Sequence, residues 1–182
     1  MASSRLTSLA LVLVVFSVAA QPARVRGVIS AFEGKTLTVD GKTQVTLDEK
    51  TEIVFTQPVA LADIAPGDFL GVTSTRRPDG TLSAVEIRRF PKPVNPGHRP
   101  FDGRDDQTMT NATVAVMVEA ASGNELTLTY PGGAQKVVVP AGASVSALVP
   151  GDRTQLVRGA PVSLTHDANR VALRIQVSPP PK

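Results

Sequence analysis

The chain has 182 residues, 19 Lys and Arg against 16 Asp and Glu, and no cysteine. Without cysteine it is not a disulfide scaffold, so an apolar core must hold it together. A formal charge of +3 is too small for this length to point to nucleic acid or to an acidic lipid surface. Residues 1–20 read as a secretory leader. Arg5 opens it, an apolar run from Leu9 to Val18 is broken only by Ser17, and Val18-Ala19-Ala20 offers small residues before Gln21. The run is shorter than the roughly 20 residues that cross a bilayer, and no second run of that length follows. The expectation is a periplasmic or secreted protein with no membrane span after leader removal, its charge lowered to +2 by the loss of Arg5.

Beyond the leader the chain is written in short strands. Arg24 to Phe32 reads as a first strand, with Gly27 inside it marking a bulge or bend. Leu37-Thr38-Val39 and Val45-Thr46-Leu47 alternate apolar and polar residues around an Asp40-Gly41 hairpin turn. Leu61 to Ala65 suggests one short helical turn. Pro66-Gly67-Asp68 leads into a strand from Phe69 to Ser74, and Pro78-Asp79-Gly80 turns it back into Leu82 to Arg89. Residues 91–110 form a Pro-rich linker, with prolines at 91, 93, 96 and 100 blocking regular pairing. A second set of strands follows. Val114, Val116, Val118 and Ala120 share one face of the first, Leu126 to Tyr130 turns at Pro131-Gly132-Gly133 into Val137 and Val139, and Pro161 to Thr165 precedes Arg170 to Val177. In the last of these, Val171, Leu173, Ile175 and Val177 alternate with Ala172, Arg174 and Gln176. Residues 178–182 read as a disordered tail.

The second set repeats the first. Gly34-Lys35-Thr36-Leu37-Thr38-Val39 returns as Gly123-Asn124-Glu125-Leu126-Thr127-Leu128, and Ala84-Val85-Glu86-Ile87 as Ala172-Leu173-Arg174-Ile175. Ile53 corresponds to Val145, Ile64 to Leu156, Gly67 to Gly159 and Val72 to Leu164. A repeat of this kind explains most residues as scaffold. Short strands, Gly and Pro turns and almost no helix give an all-β fold. The expected domains are β-barrel modules at 24–90 and 111–177, two tandem small Greek-key barrels of the oligonucleotide/oligosaccharide-binding type. One β-sandwich built from both halves is the alternative.

The strings Val25-Arg26-Gly27-Val28-Ile29-Ser30-Ala31, Leu61-Ala62-Asp63-Ile64-Ala65-Pro66-Gly67-Asp68 and Pro78-Asp79-Gly80-Thr81-Leu82-Ser83-Ala84 resemble the secreted bacterial family called domain of unknown function 5666. The resemblance implies small β-barrel modules, often in tandem, and supplies no catalytic residues. The second repeat departs from it, lacking the Asp-Gly-Thr-Leu turn and placing Arg158-Gly159-Ala160 where the first has Pro-Gly-Asp.

Little chemistry is left over. There is no G-x-S-x-G string and no cysteine nucleophile. His166-Asp167, Asp48-Glu49 and Asp105-Asp106 read as solvated turn residues rather than catalytic pairs, so no enzyme, catalytic residue or organic cofactor is expected. Oligonucleotide binding would need exposed aromatics and a basic track. Beyond the leader there is one Tyr, no Trp and five Phe, with Phe32, Phe55 and Phe69 assigned to the core. In the linker His98, Asp102, Asp105 and Asp106 fall within nine residues and form a candidate divalent-metal site. Phe90, His98, Arg99, Phe101 and Asp102 form a candidate interaction surface. The expected function is an exported, non-enzymatic binding or structural module of the bacterial cell envelope, its partner an unknown envelope protein or small ligand. A periplasmic metal-binding protein is the alternative.

Overall fold

The computed structural model describes residues 21–101, 104–120 and 123–181. The expected leader and Asp102 lie outside them. The described chain is all-β: β1 (Ala23–Glu33), β2 (Thr36–Val39), β3 (Thr43–Thr46), β4 (Glu52–Pro58), β5 (Phe69–Arg76), β6 (Leu82–Phe90), β7 (Gly97–Phe101), β8 (Arg104–Ala120), β9 (Gly123–Tyr130), β10 (Gly133–Val139), β11 (Ser144–Pro150), β12 (Pro161–His166) and β13 (Ala172–Val177). Two single 3-10 turns, Leu61–Asp63 and Arg153–Gln155, precede β5 and β12. No helix among the described residues is long and apolar enough to cross a membrane. The hairpin turns follow the local sequence. Asp40 and Gly41 take φ of 51° and 66°, the left-handed pair that a tight hairpin requires.

The pairing pattern departs from the repeat boundaries. β1, β2 and β3 form a meander, but the other side of β1 pairs with β12, and β12 with β13. A parallel bridge from Thr46 to Val171, just before β13, closes this first ring of pairings. The second ring is its counterpart. β8, β9 and β10 form the meander, β5 pairs with β8, β6 with β5, and Val137 and Val138 of β10 pair in parallel with Leu82 and Ser83 of β6. Each ring therefore takes three strands from one repeat and two from the other. β4 and β11 pair antiparallel to each other between the rings, and each also pairs in parallel with a ring strand, β4 with β13 and β11 with β6.

The apolar cores follow the rings. One joins Ile29, Leu37, Val39, Val45 and Leu47 to Leu156, Val162, Leu164, Ile175 and Val177. The other joins Ile64, Leu70, Val72, Leu82 and Ile87 to Val114, Leu126, Leu128, Val137 and Val139. The boundaries 24–90 and 111–177 thus mark sequence repeats, while the packing units cross them.

Bulges correct three readings of strand faces. In β1 the register shifts between Ile29 and Ala31, not at Gly27, and β8 shifts in the same way between Val114 and Val116. An extra residue turns every later side chain to the other face, so Val114 is buried while Val116 and Val118 are exposed. Leu173 is likewise an extra residue opposite β12, and it is exposed while Ala172, Ile175 and Val177 are buried. Gly27 marks a close approach instead, since a Cβ there would fall 2.2 Å from Asp40 Oδ2.

The linker is also more regular than its prolines suggest. Residues 97–101 pair with β8 from Gly97–Asn111 to Pro100–Thr108. β7 is an edge strand, and an edge has room for a proline that donates no hydrogen bond. Among the described residues of the linker, 91–96 remain as an irregular strap between the repeats.

Candidate functional site

The strap is anchored at both ends. Phe90, the last residue of β6, pairs in register with Phe69, and their rings meet edge to face with centroids 6.4 Å apart. The Phe90 ring rests on Gly71, where a Cβ would fall 2.6 Å from Cε2. Farther on, the buried Asn111 donates from Nδ2 to the carbonyls of Val94 and Asn95, at 3.0 and 3.2 Å. The strap is so held away from β12 and β13, and a cleft opens between them.

Three adjoining cavities share Phe90 and Leu148 as walls. The first, about 270 Å³, lies between Val94 of the strap and the outer face of the first ring, where Arg24, Ser163, Thr165, Arg174 and Gln176 project. The second, about 140 Å³, runs along Ile53 and Val54 to Pro91 and Lys92, with Glu52 and Arg174 at its rim. The third, about 250 Å³, lies beside Arg89, Ala147 and Val149. Register explains the grouping: Arg24 stands opposite Thr165, Thr165 opposite Arg174, and Arg174 opposite Glu52, a row across four strands. Leu148 comes from β11 and is 5% exposed. The floor of the cleft is therefore apolar and its rim polar, the usual make-up of a small-molecule site.

The rim carries excess positive charge. Arg174 lies 3.5 Å from Glu52, with both side chains about half exposed, a pairing worth little on a surface. Arg24 and Lys92 have no carboxylate within ion-pair distance among the described residues. Arg89 is engaged elsewhere, with Asp68 at 3.6 Å and the Asp63 carbonyl at 2.9 Å.

The residues singled out in the sequence divide between two places. Phe90 lines the cleft. His98, Arg99 and Phe101 lie on β7, on the far flank of β8. His98 Nδ1 shares a 2.8 Å hydrogen bond with the hydroxyl of buried Thr110. Burial, and then the nearby Arg76 charge, hold its pKa below the usual histidine value. Arg99 is exposed and donates to the Asn95 carbonyl at 3.2 Å. Phe101 is half-buried, Asp106 is exposed, and the side chain of Asp105, like Asp102, lies outside the described residues. Among the described residues no three His or carboxylate groups gather as a metal set, and a cationic neighbour at His98 works against a metal ion there.

Sequence reasoning missed Arg24, Lys92, Val94, Leu148, Arg174 and Gln176. One signal stands in the sequence: within the shared frame of the repeat, Glu86 in the first copy becomes Arg174 in the second.

A search of the curated proteins and of the solved structures gives no match. The family models give one, over residues 26–88, from β1 to near the end of β6. That segment, the first of the two repeats, belongs to the family described as Domain of unknown function (DUF5666).

Proposed function

We propose that the protein is an exported, non-enzymatic binding module of the bacterial cell envelope whose ligand seats in the cleft at Phe90, Val94 and Leu148. We read each ring of strands as a small barrel of the oligonucleotide/oligosaccharide-binding type. Supporting this reading, a three-strand meander is closed by two further strands, one antiparallel to its first strand and one parallel to its last. The observation that carries the binding role is that three cavities converge on Phe90 and Leu148 where the two rings meet. Ligand sites favour such seams between packing units.

Binding to the native state alone raises the melting temperature. A thermal-shift screen of small molecules on the wild-type protein and on Val94→Trp, which fills the cleft from an exposed strap position, tests the reading. Stabilisers whose effect is lost in Val94→Trp are expected. If every stabiliser acts equally on both proteins, the cleft is not the site. Cell fractionation tests export: recovery in the cytoplasm would remove the envelope role.

A further inference from the structure

Resting on the cleft reading above, we infer that the cleft takes a small amphipathic anion: a carboxylate or similar oxyanion carried on a short apolar body. The argument is charge and shape together. The rim holds Arg24, Lys92 and Arg174 against the single carboxylate of Glu52, so a neutral or cationic ligand would leave that excess uncompensated. Arg24 and Arg174 both face Thr165 in register from the strands on either side of it. An anionic head placed over Thr165 meets two guanidinium groups and a hydroxyl, the donor set that suits a planar oxyanion.

The apolar walls set the other half of the ligand. Phe90, Val94 and Leu148 line the first two cavities, and Ile53 and Val54 continue the apolar floor of the second. A body lying from Thr165 toward Pro91 passes Phe90, Val94 and Leu148. At about 270 Å³ and 140 Å³ the space is at or below the small end of ligand sites, which excludes a polymer lying wholly inside. Glu52 closes the rim beyond Arg174 and repels a second anionic group at that end, so the ligand carries its charge at one end only.

The test compares octanoate, octanol and octyltrimethylammonium, three probes with one apolar body and different heads. Binding is followed by backbone amide NMR shifts on the full protein below micelle-forming concentrations. Octanoate is expected to bind saturably, at least tenfold tighter than either other probe, with shifts centred on Leu148, Thr165 and Arg174. The double variant Arg24→Gln/Arg174→Gln is expected to weaken octanoate at least tenfold, leave octanol unchanged, and keep the wild-type melting temperature. Equal or tighter cleft-centred binding of octanol or octyltrimethylammonium would overturn the anion inference and leave the binding cleft standing. No cleft-centred shifts with any probe, together with failure of the Val94→Trp comparison, would overturn both. Octanoate binding that survives the double variant would show that the two arginines do not read the head group, and the inference would fall.

Discussion

Gly159 in the second repeat donates its amide to the carbonyl of Ile29 in the first, at 2.8 Å, and Ile29 returns a hydrogen bond from its own amide to the carbonyl of Ala160 at 2.9 Å. The same exchange occurs in reverse. Gly67 donates to the Val114 carbonyl, and Val114 donates to that of Asp68, both at 2.9 Å. Gly67 and Gly159 hold φ of 95° and 86°, a conformation that glycine adopts without strain. Each glycine turn thus delivers the next strand to the partner repeat rather than to its own.

This exchange makes the repeats mutually dependent. A fragment of residues 21–93 would leave the meander side chains Ile29, Leu37, Val39, Val45 and Leu47 without their partners, and Leu70, Val72 and Ile87 without theirs. Each such side chain is worth about 1.5–3 kcal/mol when buried, and the net stability of a domain is only about 5–15 kcal/mol. The fragment is expected to be unfolded, or to be a homodimer in which one copy's β5 and β6 close on the other's β1 to β3. Mixing it with residues 94–182 should yield a folded one-to-one complex. Light scattering with circular dichroism checks this, and a cooperatively folded monomer of 21–93 would show that the exchange is not required.

The limits of legibility come from the same symmetry. Strand periodicity placed β1, β2, β3, β5 and β6 and their counterparts, because each carries its own alternation or turn. It could not say which copy β5 joins. The first strands of the two copies, β1 and β8, have equivalent apolar positions, so β5 fits either by pattern. The deciding information lies in the connections, where the short strap 91–96 and the hairpin of β7 and β8 place the second meander beside β5. The cleft was illegible for a related reason. Arg24, Leu148 and Arg174 are distant in sequence and become neighbours only through the exchange. Phe90 was singled out because it borders the prolines, and the structure places it in the wall of the cleft.

Asn111 is expected to control the strap. It supplies two donated hydrogen bonds, each worth about 0.5–1.5 kcal/mol net. Its Oδ1 is buried without a partner among the described residues, so removing the side chain also relieves a small penalty. Asn111→Ala should cost about 1–2 kcal/mol in urea unfolding and raise amide exchange at Asn95 and Gly97. Asn111→Asp should cost more, because a carboxylate would then face two carbonyl oxygens. An alanine variant less stable than the aspartate variant would refute the donor role.

His98 should give the protein a measurable acid sensitivity. Its pKa lies below the ordinary 6.5, first through burial and then through Arg76. Between that lowered value and 6.5 the unfolded chain binds more protons than the fold does. The His98 contribution is therefore complete above about pH 6.5 and declines as the pH falls below it. Melting curves between pH 7.5 and 5 should fall more steeply in wild type than in His98→Asn. The imidazole titration followed by NMR in a His166→Gln background should move upward in Arg76→Gln. A His98 midpoint at or above 6.5 would contradict the packing of β7 on Thr110.

Gly71 and Phe90 are expected to be coupled. A methyl group at position 71 would sit 2.6 Å from Phe90 Cε2, so the ring must move off β5 and into the space beside Leu148. Overpacking of this kind costs about 1–3 kcal/mol, and the displaced ring also loses its edge-to-face contact with Phe69, worth about 0.5–1.5 kcal/mol. Phe90→Leu alone forfeits that contact but leaves room at position 71. In the double variant Gly71→Ala/Phe90→Leu the clash with the ring is gone and only the 3.1 Å approach to Asn111 Oδ1 stays, so the two losses should fall short of additive by more than about 0.5 kcal/mol. The cycle is read by urea unfolding, with the Leu148 amide shift reporting whether the ring has entered the cleft. Strict additivity with an unmoved Leu148 signal would show that Phe90 does not rest on Gly71 in solution.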